Sequence, residues 1–501
     1  MGIKKQFKTR SLKSILQEMK DSSKSSTEDG SKFEKLMKEA LKADSSIAGK
    51  FDQVYLWKDW EYNNDERDTG IDLVAIDDQT KEFVAIQCKS FKEDTEITLK
   101  HISTFTSKAN TTFKVNGKQK SFSKMILITT TNGELAPNAK SHFNNQKIPH
   151  SVISLYDLEN SNIADWKSLI SNKPITLKEP KKLRSYQKDA IESVVKAFKT
   201  EDRGKLIMAC GTGKTFTSLK LMEKLNKEED FVLFLVPSIA LMSQTIKEWI
   251  QQSDKEPNRF AVCSDKKVAK SEEDISINDF PYSATTDLKE LKKYLKKANL
   301  KKGINIVFST YQSIDVIIEA QKKKIIPKFN LAICDEAHRT TGFHLKNGQS
   351  HFTKIHNKIS CNKTLYMTAT PRIYKVKDKD KIESRGGDYY SMDDERIYGR
   401  VLFKYGFTQA VKDKNLSDYK VMVLAIPESI VNSNIQQSLS NEDRELEVSD
   451  EAKIIGCFQG LQRKTINDKN NVSKKMTMKR SVAFCRTIKE SKKLSENFKE
   501  V

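Results

Sequence analysis

Two groups of residues in this 501-residue chain have types and spacing suited to chemistry. The first is Met208-Ala209-Cys210-Gly211-Thr212-Gly213-Lys214-Thr215, set between an apolar run, Lys205 to Ala209, and a helical pattern that begins near Thr215. In such a loop small residues let backbone N–H groups turn inward around phosphates. Lys214 reaches the β- and γ-phosphates, and the Thr215 hydroxyl can ligate Mg2+. The usual pattern opens with Gly, and Met208 stands in that place here. Further on, the apolar run Leu331-Ala332-Ile333-Cys334 ends in Asp335-Glu336-Ala337-His338. A strand-end Asp there holds the Mg2+, and the following Glu orients or deprotonates the attacking water. Upstream, Leu183-Arg184-Ser185-Tyr186-Gln187 opens a helix at the distance of an adenine-reading loop. Gln187 can donate and accept at the adenine edge, which a phosphate loop cannot read. ATP with Mg2+ is the cofactor these residues call for.

The second group lies on a hairpin. Two strand-like runs, Ile71 to Ile76 and Phe83 to Cys88, flank the polar turn Asp77-Asp78-Gln79-Thr80-Lys81-Glu82. A turn centred between Gln79 and Thr80 puts Asp72 opposite Gln87. Residues two apart on a strand share a face, so Gln87 and Lys89 point the same way. A carboxylate, an amide and an ammonium then converge at one end of a sheet. Glu66 and Asp68 are acidic neighbours that become the candidates if this register is wrong. On the preceding helix, expected from Ser31 with Phe33, Leu36, Met37 and Leu41 on its apolar face, Glu34 has two readings. It is an acid facing this site, or the closing residue of a Ser31-x-x-Glu34 capping box.

Taken with the strand Leu365-Tyr366-Met367 and its sequel Thr368-Ala369-Thr370-Pro371-Arg372, the first group resembles the superfamily 2 helicase motors. The second resembles the PD-(D/E)xK nuclease fold, in its Mrr-like branch, where Gln replaces the second acidic residue. That resemblance rests on Gly70-Ile71-Asp72-Leu73-Val74-Ala75, Ile86-Gln87-Cys88-Lys89 and the strand Met125 to Ile128 running into Thr129-Thr130-Thr131-Asn132-Gly133. It implies Asp72 as metal ligand, Gln87 at the second motif position and the Cys88 carbonyl completing the metal shell. Lys89 would orient the attacking water and stabilise transition-state charge, with Glu34 as the helix-borne acid.

These sites need elements to position them. The length is a soft prior for about three or four domains. Strands alternating with helices after the phosphate loop, at Phe231 to Val236 and Ile304 to Ser309, give a doubly wound parallel sheet with ligands at the strand carboxyl ends. The fold expected is therefore α/β: a restriction-endonuclease-like domain, then RecA-like motor lobes with the second incomplete. The boundaries read as a basic arm at 1–28, the nuclease at 29–170, a Pro- and Lys-containing linker at 171–182, lobe one at 183–400 and the start of lobe two at 401–501. Within the arm, Leu12, Ile15, Leu16 and Met19 have helical spacing, although a loosely ordered arm is the expectation. In lobe two, Tyr419 to Ile426 and Arg480 to Cys485 read as buried strands. By resemblance, the turns Pro237-Ser238 and Thr310-Tyr311-Gln312-Ser313 hold a DNA backbone, through contacts that set position and carry no base sequence.

Composition narrows the partners. Lys and Arg number 88 against 67 Asp and Glu, net +21, which favours a polyanion such as nucleic acid, although Lys-rich usage contributes to the excess. Seven scattered cysteines without a C-x-x-C pair fit reduced thiols better than a disulfide framework or a zinc site. No apolar signal region and no long apolar run occurs, so a bacterial cytoplasmic protein without membrane contact is expected. His351 and His356 lack an H-E-x-x-H frame and read as surface residues.

The order nuclease, then motor, resembles the single-chain ATP-dependent Type ISP restriction-modification enzymes. In that family an adenine methyltransferase using S-adenosylmethionine and a target-recognition domain follow the motor. No Asn/Asp-Pro-Pro-Tyr/Phe motif and no Gln-x-x-Gly-Arg-x-x-Arg helix is found here, so the chain is expected to be the N-terminal part of a longer enzyme. The implied function is cleavage of foreign unmethylated double-stranded DNA, driven by an ATP-dependent translocase. A second copy is needed for a double-strand break, because one nuclease centre cuts one strand. The alternative is a DEAH-type RNA or DNA helicase whose nuclease-like fold only binds nucleic acid.

Overall fold

A computed structural model describes residues 10–418 apart from 64–69, 172–173, 256, 264–281, 283, 345–349 and 375–387, together with positions 491 and 495. The apolar spacing at the start of the chain is enough to fold a helix. Leu12, Ile15 and Met19 line one side of α1 (Leu12–Asp21), and the Ser11 hydroxyl caps it by accepting from Ser14 N–H. All three are buried in one cluster with Leu36, Met37 and Leu41 of α2 (Ser26–Ala43). Helix α1 thus packs its apolar side into the core beneath α2, and the separate loosely ordered arm expected from composition is corrected to that extent. Helix α2 begins at Ser26, not Ser31. The Ser25 hydroxyl accepts from Glu28 N–H, and the Glu28 carboxylate accepts from Lys24 N–H. Glu34 lies in the helix interior, so its capping reading is overturned: the orphan N–H groups of the first turn lie elsewhere.

These helices cover a six-stranded mixed sheet. Its order is β1 (Phe51–Leu56), β2 (Leu73–Asp77), β3 (Phe83–Lys89), β5 (Lys118–Thr129), β4 (Thr112–Val115), with β6 (His150–Ile153) also pairing β5. The β2–β3 register sets Leu73 opposite Ile86 and Ile76 opposite Phe83, which continued one step puts Asp72 opposite Gln87, as expected. The turn is held by Asp77, whose Oδ1 accepts from Gln79 N–H, Thr80 N–H and the Thr80 hydroxyl. The opposite face carries α3 (Leu99–Ala109) and α4 (Pro137–Asn144). After α5 (Leu155–Glu159) comes the ribbon β7 (Ile163–Asp165) with β8 (Thr176–Leu177), so part of the expected linker pairs back onto the nuclease.

Helix α6 (Ser185–Ala197) leads into the second sheet. Seven parallel strands run in the order β11 (Asn258–Val262), β12 (Asn305–Thr310), β10 (Phe231–Val236), β13 (Phe329–Cys334), β15 (Cys361–Thr368), β9 (Arg203–Met208), β17 (Val401–Tyr405). Helices α6, α7 (Lys214–Leu225) and α8 (Ile239–Gln252) bury one face, and α9 (Leu288–Lys297) and α10 (Ile314–Lys322) the other. A short ribbon of β14 (Gly342–His344) and β16 (Asp388–Tyr390) lies apart from this sheet. Strand β17, assigned by sequence to a second lobe from residue 401, is the edge strand of this first sheet. Leu402 packs against Gly204, where an added Cβ would come within 2.4 Å of it, and the Tyr405 ring stacks on Tyr186 at 4.1 Å. The strands expected at Tyr419 to Ile426 and Arg480 to Cys485 lie outside the described residues.

The two sheets with their helices meet through polar contacts. Lys293 pairs with Glu82 at 2.9 Å, Gln251 Nε2 donates to Ser46 Oγ and Asn160 O, and Lys247 Nζ donates to Asp157 O at 3.3 Å. His356, expected at the surface, is half-buried: its ring stacks on Tyr390 at 4.8 Å and Nδ1 lies 3.1 Å from the Tyr366 hydroxyl. An imidazole filling an aromatic pocket leaves no sequence signal of its own.

Candidate functional site

The residues expected to form the nuclease site lie where β2 begins and β3 ends, with Glu34 on α2. Asp72 is fixed by its backbone on both sides: its N–H donates to Ile86 O at 2.9 Å, and its carbonyl accepts from Trp57 N–H at 2.8 Å. Its Oδ2 accepts the Cys88 N–H at 2.7 Å, which aims the carboxylate at the last turn of β3. Glu34, facing this point from α2, has its carboxyl pushed up to about 7, first by burial and then by the Asp72 charge, with Lys89 opposing. Two carboxylates and one ammonium drawn from α2, β2 and β3 therefore share one site. The Cys88 thiol is pushed well up by burial and by Asp72 and Glu34. It stays protonated, which leaves the backbone carbonyl as the donor that Cys88 offers. Gln87 is 2% exposed, donates from Nε2 to Gly70 O at 3.0 Å, and its Oε1 has no hydrogen-bond partner among the described residues. Glu66 and Asp68 lie outside the described residues.

No group of three or more His, Cys, Asp or Glu side chains able to hold a metal occurs among the described residues. The donors at this place are two carboxylates and backbone carbonyls, all hard oxygens. That set fits Mg2+, which keeps several waters and takes few protein ligands, better than Zn2+.

The ATP site is shaped mainly by backbone. Gly211 and Gly213 have φ of +80° and +81°, the left-handed region that favours glycine, and Gly213 is the N-cap of α7. A Cβ on Gly213 would also lie 2.6 Å from Gln187 Nε2. Met208 explains the departure from the usual first Gly. It is the last residue of β9, fully buried, and its carbonyl receives Lys214 Nζ at 3.4 Å. The position is strand rather than loop, and a large apolar residue suits it. Tyr186 Oη and Gln187 Nε2 both donate to Thr212 O, at 3.0 and 3.1 Å, and Gln187 Oε1 accepts from Arg184 N–H at 2.9 Å. The Thr215 carbonyl accepts from Trp249 Nε1 at 3.1 Å. Tyr186 and Gln187, expected to read adenine, thus brace the glycine-rich loop.

Across the sheet, Asp335 ends β13 with its carboxyl pushed up to about 6. Burial is the main cause and Glu336 the next, while the Glu336 N–H bond and Lys214 act in the other direction. Glu336 adopts φ +47°, a conformation strained for a residue with a side chain, and pairs with His338 at 3.3 Å. His338 Nδ1 lies 3.0 Å from Thr368 Oγ1, joining the β13 and β15 ends, and Tyr311 Oη donates to Asp335 O at 2.8 Å. Lys214 thus stands within electrostatic reach of Asp335, with Glu336 next in the chain. Sequence reasoning missed Trp249, because an indole that bonds a backbone carbonyl looks like a core residue in a sequence, and Tyr311, expected in a turn that holds a DNA backbone, donates to the Asp335 carbonyl. Gln312, expected to face DNA, donates from Nε2 to Pro237 O at 3.1 Å, so the two expected backbone-holding turns are tied together.

Residues 42–176 match the family described as "Restriction endonuclease", and residues 180–373 match "Type III restriction enzyme, res subunit". This is a restriction-endonuclease domain joined to a helicase-like motor domain. Over 98% of its length the chain is similar to the solved structure of the "ATP-dependent Type ISP restriction-modification enzyme LlaBIII bound to DNA", at 35% identity and a TM-score of 0.77, covering 31% of that chain. Among curated proteins, a "Probable helicase" of African swine fever virus is 25% identical over 49% of this chain and 24% of its own length. The "Type I restriction enzyme EcoKI endonuclease subunit" of Escherichia coli is 26% identical over 54% of this chain and 20% of its own length. The chain spans about a quarter of the length of these curated relatives and under a third of the solved enzyme. The α/β architecture and the resemblance to Type ISP enzymes expected from sequence both hold. Among the described residues no helix is long and apolar enough to cross a membrane.

Proposed function

We propose that this chain is the effector part of a restriction-modification enzyme: an ATP-driven double-stranded DNA translocase that carries an Mg2+-dependent nuclease against foreign unmethylated DNA. The observation that carries the reading is the meeting of Glu34, Asp72 and Lys89 at one end of a nuclease sheet docked on a motor with Lys214, Asp335 and Glu336 in place. Asp72, Glu34 and the Cys88 carbonyl would hold Mg2+, which supplies Lewis acidity to the scissile phosphate. Lys89 orients the water and stabilises developing charge, and Gln87 holds the Gly70 carbonyl beside Asp72. In the motor, Gly211, Thr212, Gly213, Lys214 and Thr215 bind the ATP phosphates. Asp335 with Thr215 holds Mg2+, Glu336 positions the water, and Tyr186 with Gln187 reads the adenine. Methylation with S-adenosylmethionine belongs to a separate part of such an enzyme, and two copies acting on opposite strands make the double-strand break. A bacterial cytoplasmic setting suits reduced cysteines and a DNA substrate.

The test is ATP turnover by the full-length protein with duplex DNA, single-stranded DNA or RNA, followed on the same preparation by plasmid linearisation with and without Mg2+. The proposal expects stimulation by duplex DNA and cleavage only when Mg2+ and ATP are both present. Stimulation by RNA alone, without cleavage, would favour the helicase with a binding-only nuclease fold.

A further inference from the structure

Just beyond the last pair of β1 and β2, Leu56 opposite Leu73, the chain leaves the sheet in a short 3-10 turn, Trp57–Asp59. That turn is fastened to the metal-site residue itself, because Trp57 N–H donates to Asp72 O at 2.8 Å. Further bonds keep it from swinging. Trp60 N–H donates to Trp57 O, and Asn63 Nδ2 donates to Trp57 O at 3.0 Å and Lys58 O at 3.4 Å. The Trp57 ring is buried in the aromatic cluster on the α3 side. Lys58, between two anchored residues, is exposed, and no salt bridge to it is found among the described residues. Its ammonium therefore stands exposed on a turn bonded to Asp72. Glu34 feels the positive charges of Lys89, Lys58 and Lys35, so Lys58 stands within electrostatic reach of the same carboxylates.

We propose that Lys58 is a substrate-binding residue of the nuclease, holding a DNA backbone phosphate next to the one that is cut. This rests on the nuclease reading above. Duplex DNA carries about one charge per 1.7 Å of axis, so the scissile phosphate cannot enter the site without charged neighbours. The Glu34 and Asp72 carboxylates oppose them. Lys89 and the divalent cation serve the reacting phosphate. A lysine two residues beyond the sheet end, on a turn bonded to Asp72, can neutralise an adjacent phosphate while the pose of the reacting one is kept. Its ammonium contacts the backbone and reads no base, so the contact is independent of sequence.

The experiment is steady-state nicking of supercoiled plasmid by the full-length protein with Mg2+ and ATP, across a series of salt concentrations. Lys58→Ala is expected to raise KM for DNA about five- to tenfold with kcat nearly unchanged. It should also flatten the slope of log(kcat/KM) against log salt by roughly 0.9, the signature of one lost phosphate contact. Lys58→Arg restores both. An unchanged KM and slope overturn the proposal, as does a fall in kcat that Lys58→Arg does not restore. Asp72→Ala, run in parallel, separates the two claims: if it nicks at the parental rate, the nuclease reading fails whatever Lys58 does.

Discussion

Both candidate sites of this chain set a carboxyl with a raised pKa within electrostatic reach of a lysine, and they build that arrangement from different material. In the motor, one continuous loop does most of the work. Gly211 and Gly213 shape it, Tyr186 and Gln187 brace it through the Thr212 carbonyl, and Lys214 lies beside Asp335. In the nuclease, the residues come from α2, the entry to β2 and the end of β3, and only the fold brings Glu34 to Asp72 and Lys89. The raised Asp335 carboxyl has Glu336 as its second cause, and the raised Glu34 carboxyl has Asp72. A site made of backbone tolerates departures such as Met208, whereas a site made of convergent side chains fails when one ligand goes.

The contrast breaks most sharply at Asp72. Asp72→Ala should lower strand cleavage by more than about 10²-fold, since loss of even an outer-shell partner of a metal ligand costs 10–100-fold. ATP hydrolysis should stay near normal, because the two sites belong to separate sheets. Paired ATPase and plasmid-linearisation rates on one preparation check this, and parallel loss of both activities would mean that the sites are not independent.

Lys214→Ala is the reciprocal case. Removing a cation aimed at transferring phosphates is expected to cost about 10²-fold or more in ATP turnover. Cleavage remote from a recognition site should disappear with it, while the metal site stays intact. Remote cleavage that survives the substitution would show that the nuclease does not need the motor.

A smaller effect sharpens the idea of a braced loop. Gln187→Ala deletes the bonds to Arg184 N–H and Thr212 O, and should weaken nucleotide binding roughly tenfold, equivalent to about one or two hydrogen bonds. Titration with a fluorescent ATP analogue reads this directly, and unchanged affinity would leave the bracing without functional weight.

The smallest effect is on stability. The Glu34 carboxyl in the folded, metal-free protein is raised from 4.5 to about 7, so the fold binds a proton that the unfolded chain has lost. That contribution is fully present below about pH 4.5 and disappears as pH rises through about 7. Above it, a half-buried charge crowds Asp72. Glu34→Gln should therefore stabilise the metal-free protein at pH 8 by about 1 kcal/mol, the full shift being discounted for solvent screening of a part-exposed group. It should abolish cleavage at the same time. Thermal melts at pH 5 and pH 8 test it, and a variant less stable at pH 8 would count against like-charge crowding.

What the residues alone determined is what depends on near neighbours in the chain. The phosphate loop, the Asp335-Glu336 pair and the hairpin register were all legible, because Gly, turn residues and strand alternation act over a few positions. The register placing Asp72 opposite Gln87 follows from the polar turn and the alternation of the two strands. Tertiary structure decided the rest. Ser31-x-x-Glu34 has the form of a capping box, yet Ser25 starts α2 and buries Phe33, Leu36 and Met37, so Glu34 falls in the interior and faces Asp72. The apolar strand 401–405 reads equally well as the start of a new lobe or the edge of the old one. Its place beside β9 follows from Leu402 filling the space over Gly204 and Tyr405 stacking on Tyr186, contacts between residues some two hundred positions apart. Local pattern specifies which element forms, but which partner an apolar face covers depends on shape and burial across the fold, and no short stretch of sequence contains that information.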